Sequence, residues 1–286
     1  MLLAPTLFHL TSPPTDPTPS PSRQADNGDV PCTFRQILLL LVAVLCITSA
    51  ALAQTRSSGW GQPTLPYDGR FTFVRLRWTS GTYGAPVAGQ GFNFWSHEFP
   101  RAEQNLMAVL GDVTLVDTRT NGSLILTLDD PNLFKHPIVM MWEPGFWTMT
   151  DHEAARLREY ILKGGFVIFN DFERGQWDNF AAQMSRVIPN ADWMSMEQSH
   201  PIFNSFFRID EIDTPHPINH HLFGYKPEYL GLFKDNNPEK RLMAIVNYNT
   251  NLAEYWQMAG TGFFPIESEN IGFRLGINYI LYGMTH

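Results

Sequence analysis

The chain has 286 residues, of which 44% are hydrophobic, 13% aromatic and 17% charged, and its net charge is -8. This is globular composition with enough apolar material for one sizeable core, so disorder is excluded for most of the chain. The acidic balance repels a nucleic-acid backbone or an anionic membrane surface, so no nucleic-acid partner is expected.

The first 53 residues differ from the rest. TSPPTDPTPSPS, residues 11–22, has almost nothing to bury and cannot offset the entropy of folding, so residues 1–33 read as a disordered Pro-rich leader or an over-called start. Arg35 then precedes the apolar run ILLLLVAVLCITSAALA, which ends Ala51-Leu52-Ala53. A basic residue, an apolar stretch and an A-x-A ending form the pattern of a secretory signal peptide over residues 34–53. The rival is a transmembrane anchor, for which the 17-residue run from Ile37 to Ala53 is at the short limit. The small-residue ending favours cleavage. Either way an exported location is expected, periplasmic or anchored on the outer side. The only two cysteines, Cys32 and Cys46, lie in this leader. The remainder therefore has no disulfide, thiolate metal site or cysteine nucleophile.

After a linker over residues 54–69, residues 70–286 read as one α/β domain. FTFVRLRW, Phe71 to Trp78, is an aromatic and β-branched strand, followed by the glycine-rich loop SGTYGAPVAGQG. PRAEQNLMAVL, Pro100 to Leu110, suits a helix with proline in its first turn. SLILTL, Ser123 to Leu128, and IVMMW, Ile138 to Trp142, are continuous apolar runs of the kind shown by parallel strands covered on both faces. Thr150 and Glu153 form a capping box, and Ala154, Leu157 and Ile161 recur at helical spacing until Gly164 and Gly165 stop the helix. FVIF, Phe166 to Phe169, is then the next strand, completing half of a βαβ unit. LMAIVNYN, Leu242 to Asn249, is another buried strand, and Ile271, Leu275, Tyr279 and Tyr282 mark a terminal helix.

FTFVRLRW, FPRAEQNL, LREYILKGGFVIFNDF, HPIF at residues 200–203, IVNYN and RLGINYILYG occur in an order that resembles the bacterial domain of unknown function 4159 family. The resemblance covers roughly residues 70–283. That family is similar in fold to class I glutamine amidotransferases and to trehalose-utilisation-type proteins. The resemblance thus implies a three-layer sandwich with a mostly parallel, flavodoxin-like sheet. Some members look like longer membrane proteins encoded beside ATPase and von Willebrand-type partners, which implies envelope assemblies. Glutamine hydrolysis in the amidotransferase class needs a thiolate on a strand-to-helix elbow with a histidine to activate it. The domain has no cysteine and no G-x-S-x-G elbow, so that chemistry is not expected.

Ligands of open parallel sheets bind beyond the carboxyl ends of the strands, which places Asn170, Asp171 and Glu173 at a candidate site. They suit a polar ligand or a hard cation, although Asp171 equally suits the cap of a helix starting near Gln176 or the brace of a loop. Glu143 follows the Ile138 to Trp142 strand and joins them if the strands are neighbours. Trp142, Phe146 and Trp147 form either an aromatic wall for a sugar or peptide or packing under a long loop. Asn247 ends a second buried strand, and Glu254 and Trp256 follow it. Arg75 and Arg77 share a strand face, suited to an anionic ligand or, more safely, to an ion pair with Asp171 or Glu98. His97 and Glu98 are adjacent but not diagnostic. His200, His216, His220 and His221 have a metal-ligating side chain but lack the H-E-x-x-H spacing, and prolines break their segment into turns.

The resulting expectation is a non-catalytic binding protein of the cell envelope, without cofactor or metal, whose partner is an envelope protein or a small polar ligand. Membrane contact is expected only through an uncleaved signal segment. The alternatives are a hydrolase or carbohydrate-acting enzyme using Asp171, Glu143 and His200 as acid–base groups, and an envelope scaffold. The enzyme requires Glu143 and Asp171 to meet in space.

Overall fold

The apolar runs become strands and the amphipathic segments become helices, in the order that their periods predict. The structure is a computed structural model that describes residues 68–80, 93–212, 214–217 and 224–286. The leader, the signal segment, the linker to residue 67, residues 81–92 of the glycine-rich loop, His220 and His221 lie outside the described residues. The strands are β1 (Val74–Leu76), β2 (Thr79–Ser80), β3 (Leu124–Leu126), β4 (Ile138–Trp142), β5 (Trp147–Thr148), β6 (Phe166–Phe172), β7 (Trp193–Ser195), β8 (Glu228–Phe233) and β9 (Leu242–Tyr248). The helices are α1 (Arg101–Val113), α2 (Asp151–Leu162), α3 (Gln176–Val187), α4 (Leu252–Met258) and α5 (Ile266–Thr285).

Seven strands form one sheet in the order β3-β1-β4-β6-β9-β8-β7. The five from β3 to β9 are parallel, and β8 and β7 continue the sheet antiparallel. Ranked along the chain, the parallel strands run 2-1-3-4-5, a doubly wound order whose direction of winding reverses between β1 and β4. β2 and β5 pair in a separate antiparallel ribbon.

The sheet has a core on each face, so the architecture is a mostly parallel sheet between two helical layers. Val139 and Met141 of β4 pack in one cluster with Leu157 and Ile161 of α2 and Phe180 and Met184 of α3. Ile138, Met140 and Trp142 pack in the other with Leu106 and Leu110 of α1, Trp256 of α4 and Leu275 of α5. Alternation along one buried strand thus feeds both layers, which is why these runs are apolar throughout.

The helix α2 shows how local signals and packing share the work. Thr150 Oγ1 accepts from Glu153 N and the Glu153 side chain accepts from Thr150 N, the capping box that the spacing predicts. Such a cap contributes about 1 kcal/mol. Burying Leu157 and Ile161 completely contributes about 2 kcal/mol each, so packing dominates. Gly164 then stops the helix at a φ of +116°, and at Gly165 a Cβ would stand 2.3 Å from the Tyr160 ring. Among the described residues, no helix is long and apolar enough to cross a membrane.

One boundary expectation needs correction, and two strands were not foreseen. β6 does not end at Phe169 but runs on through Asn170 and Asp171 to Phe172, with a register shift against β9 between Phe169 and Phe172. The antiparallel strands β7 and β8 went unpredicted because EYLGLF and WMS carry neither a long apolar run nor clean alternation.

Candidate functional site

The site is assembled at the carboxyl ends of the parallel strands, starting from a buried arginine. Arg75 on β1 is fully buried on the α1 side of the sheet. Its Nε donates to Glu103 Oε1 at 2.5 Å, and its Nη1 donates to the Trp95 and His97 carbonyls at 2.8 Å each. The guanidinium also stacks 3.4 Å above the Trp142 ring. Arg75 therefore fixes the turn that presents His97 and Glu98. Its carboxylate partner is Glu103, not Asp171 or Glu98, and full burial removes it as a contact for an anionic ligand. Arg77 lies just past β1 and is not among the residues that line the cleft described below.

Glu98 is buried, with Oε2 accepting from Trp142 Nε1 at 2.6 Å and Oε1 accepting from Asn251 Nδ2 at 2.8 Å. Trp142 is thus packing with one polar anchor rather than an exposed aromatic wall, and Trp147 is likewise fully buried. Phe146 is half-buried and stacks on Phe94. Asn170 donates to Asn251 Oδ1 at 3.0 Å, and its Oδ1 accepts from Asn247 Nδ2 and from the Leu252 backbone. Asn251 in turn caps α4, and Tyr279 donates to Asn247 Oδ1 at 3.0 Å. Asn170 and Asn247 are fully buried braces of this amide network rather than ligand contacts. His200 accepts from Ile202 N and packs on Phe233 and Tyr282, at the opposite end of the sheet.

What does converge is His97 with the acids. His97 Nδ1 is 2.8 Å from Asp171 Oδ2, 3.1 Å from Glu143 Oε1 and 3.1 Å from Glu98 Oε1. His216 Nε2 approaches the other Asp171 oxygen at 3.5 Å. Glu98, Glu143 and Asp171 all have left-handed backbones, with φ of 58°, 45° and 65°. Such conformations cost non-glycine residues about 1 kcal/mol or more and concentrate at functional sites. At Asp171 the left-handed residue is the one that breaks the β6 register, which turns its carboxylate onto the His97 side chain. Asp171 does not cap α3, whose first turn has no side-chain cap.

The electrostatics follow from crowding. Burial opposes charge on His97, but hydrogen bonds to Asp171 and Glu143 and the nearby negative charges outweigh it and push its pKa up to about 11. Burial, reinforced by the Asp171 charge, pushes Glu98 up to about 8. Burial pushes Glu143 up to about 7, against its hydrogen bond with His97. Asp171 is held below the ordinary carboxylate value because, although burial opposes it, two histidines stabilise its charge. Burial and the Asp171 charge raise Glu254.

A cleft of about 230 Å³ opens over this centre, lined by His97, Glu143, Asp171, Phe172, Glu173, Gln176, His216 and Glu254. Of the residues singled out at the strand ends, Asp171, Glu173 and Glu143 meet here, with Glu173 Oε1 held by Arg174 at 2.6 Å. His97 is the contributor that sequence reasoning passed over. The one local hint was its place beside Glu98 just ahead of the Pro100 helix. His97, Glu143 and Asp171 each offer one ligand atom within 4.8 Å of the others, so these three residues are the ones here that could hold a cation together.

Fold and site together define a doubly wound α/β protein with an ionisable centre at its strand carboxyl ends, beside the point where the winding reverses. Over residues 87–284 the chain matches the family described as Domain of unknown function (DUF4159), and it belongs to that family. No curated protein matches it at a significant level.

Proposed function

We propose that the protein is an exported hydrolase acting on a small, polar, uncharged or cationic substrate, with its reacting centre at His97, Glu143 and Asp171. The observation that carries this reading is the convergence of three carboxylates on one imidazole nitrogen within 3.1 Å, in a cleft open to solvent. An enzyme needs ionisable groups within hydrogen-bond reach of one another and a shaped cavity around them, whereas a binding module needs only an apolar wall and a few polar anchors. The meeting of Glu143 with Asp171 therefore shifts the balance from the non-catalytic reading to the enzymatic one. Among the described residues, Phe172 is the one Phe, Tyr or Trp lining the cleft, which argues against a stacked sugar ring. The surplus of carboxylates argues against an anionic substrate. The substrate would lie between the His97 centre and the His216–Glu254 side of the cleft.

An amidotransferase-like fold remains part of the proposal, supported by the strand order and by the position of the site, with the thiol chemistry removed. Export is supported by the apolar segment and its A-x-A ending.

The test is a panel of chromogenic esters, amides and glycosides assayed with the full chain and with Asp171→Asn. Turnover that falls at least about 100-fold in the variant while its melting temperature holds supports the proposal. Equal turnover in both proteins overturns it. A ligand that raises the melting temperature without turnover returns the site to non-catalytic binding.

A further inference from the structure

We propose that His97 Nδ1, Glu143 Oε1 and Asp171 Oδ2 ligate one divalent transition-metal ion, of which Zn²⁺ and Mn²⁺ are the best matches. The inference rests on reading the cleft as a reaction centre and names the ion at its core.

The first ground is a hydrogen count. An imidazole nitrogen carries one hydrogen, and with Glu98 Oε1 served by Asn251 that one hydrogen is left to the Asp171 and Glu143 oxygens at 2.8 and 3.1 Å. In the neighbouring amide network donors and acceptors balance, as Asn170, Asn247, Asn251 and Tyr279 show. At His97 two acceptors, from Glu143 and Asp171, share one donor.

The second ground is the spacing. Metal–ligand bonds of about 2.1 Å put neighbouring ligands of an octahedral ion about 3.0 Å apart. The edges from His97 Nδ1 to Asp171 Oδ2 and to Glu143 Oε1 are 2.8 and 3.1 Å. Two edges of the donor triangle thus match a coordination edge, and all three donors lie within 4.8 Å of one another.

The third ground is the support behind each donor. Arg75 holds the His97 carbonyl, Glu143 N donates to the Asn170 carbonyl at 2.9 Å, and His216 approaches the Asp171 oxygen that faces away from the ion. Metal ligands held in this way by a surrounding shell keep their geometry without the ion. The His97 side chain is still 44% exposed, so the remaining coordination positions open onto the cleft, where water can occupy them. One imidazole with two carboxylates suits Zn²⁺ or Mn²⁺ better than Mg²⁺ or Ca²⁺, which prefer oxygen alone.

The experiment is calorimetric titration of the chelator-stripped full chain with ZnCl₂, MnCl₂ and MgCl₂, together with metal analysis after dialysis. One Zn²⁺ or Mn²⁺ per chain is expected, bound more tightly than Mg²⁺. Asp171→Asn and Glu143→Gln, which keep side-chain shape, should weaken binding about 100-fold or more with unchanged circular dichroism. His200→Gln, at the far end of the sheet, should bind as the native protein does. No stoichiometric binding, or equal binding in Asp171→Asn, overturns the proposal. Turnover that survives chelation overturns the metal centre and leaves the hydrolase standing. Stoichiometric binding without turnover of any substrate does the reverse.

Discussion

Two polar clusters lie side by side at the carboxyl ends of β6 and β9, and they have solved burial in opposite ways. In the amide cluster, Asn170, Asn247, Asn251 and Tyr279 match donors to acceptors, and the Asn251 side chain also caps a helix. In the acid cluster, three carboxylates face one imidazole nitrogen. Glu98 belongs to both, bonded to Asn251 on one side and 3.1 Å from His97 on the other. A matched buried network stabilises a fold, whereas an unmatched one is tolerated where it has work to do. Loss of an amide should therefore cost stability, and loss of an acid should cost function.

The sharpest break is expected in the support common to both clusters. Glu103→Leu leaves the Arg75 charge buried without its carboxylate and should lower unfolding free energy by about 3–5 kcal/mol in urea titrations. It should also loosen the turn that holds His97. Asn251→Ala removes the helix cap and a partner each from Asn170 and Glu98, for an expected loss of about 2–4 kcal/mol by the same measurement. A loss under about 1 kcal/mol would mean that water replaces the amide, and the contrast between the clusters would fail. Glu143→Gln should change stability by no more than about 1 kcal/mol while abolishing ion binding or turnover. A large stability loss in that variant would place Glu143 on the structural side.

The smallest effect concerns pH, away from both clusters. Burial, with Lys135 nearby, holds the His136 pKa below its ordinary value of 6.5. The neutral ring is thus favoured in the folded state, so its contribution to stability is complete above about 6.5 and is lost as pH falls through the depressed value. Melting temperature should decline on that acid limb, and His136→Gln should flatten the decline. An unchanged slope would show that His136 does not contribute to it.

Much of this was legible along the chain. The strands β4, β6 and β9 appear as apolar runs because both faces are buried, and α2 declares itself through Thr150, Glu153 and its glycine stop. The acids Glu143, Asp171 and Glu173 follow from the rule that ligands gather at strand carboxyl ends. The structural ion pair of Arg75 was foreseen, but not its partner, because Glu103 is 28 residues away on α1. His97 stayed hidden for a related reason. Its position depends on the hold of Arg75 on its carbonyl, and its main partner Asp171 is 74 residues further along.

The sequence by itself determined the α/β class, the order of the main elements, the absence of thiol chemistry from the domain and the strand ends that carry acids. Those properties depend on composition and on periods of two and 3.6 residues, which act over one element at a time. Only the tertiary structure decided that the acids share one imidazole, that the asparagines brace rather than bind, and that Trp142 is an internal anchor. These depend on register, a break in the β6 ladder and left-handed residues at three acids, which bring distant side chains within 3.1 Å. Neither period encodes such an arrangement, because it is decided by packing between elements.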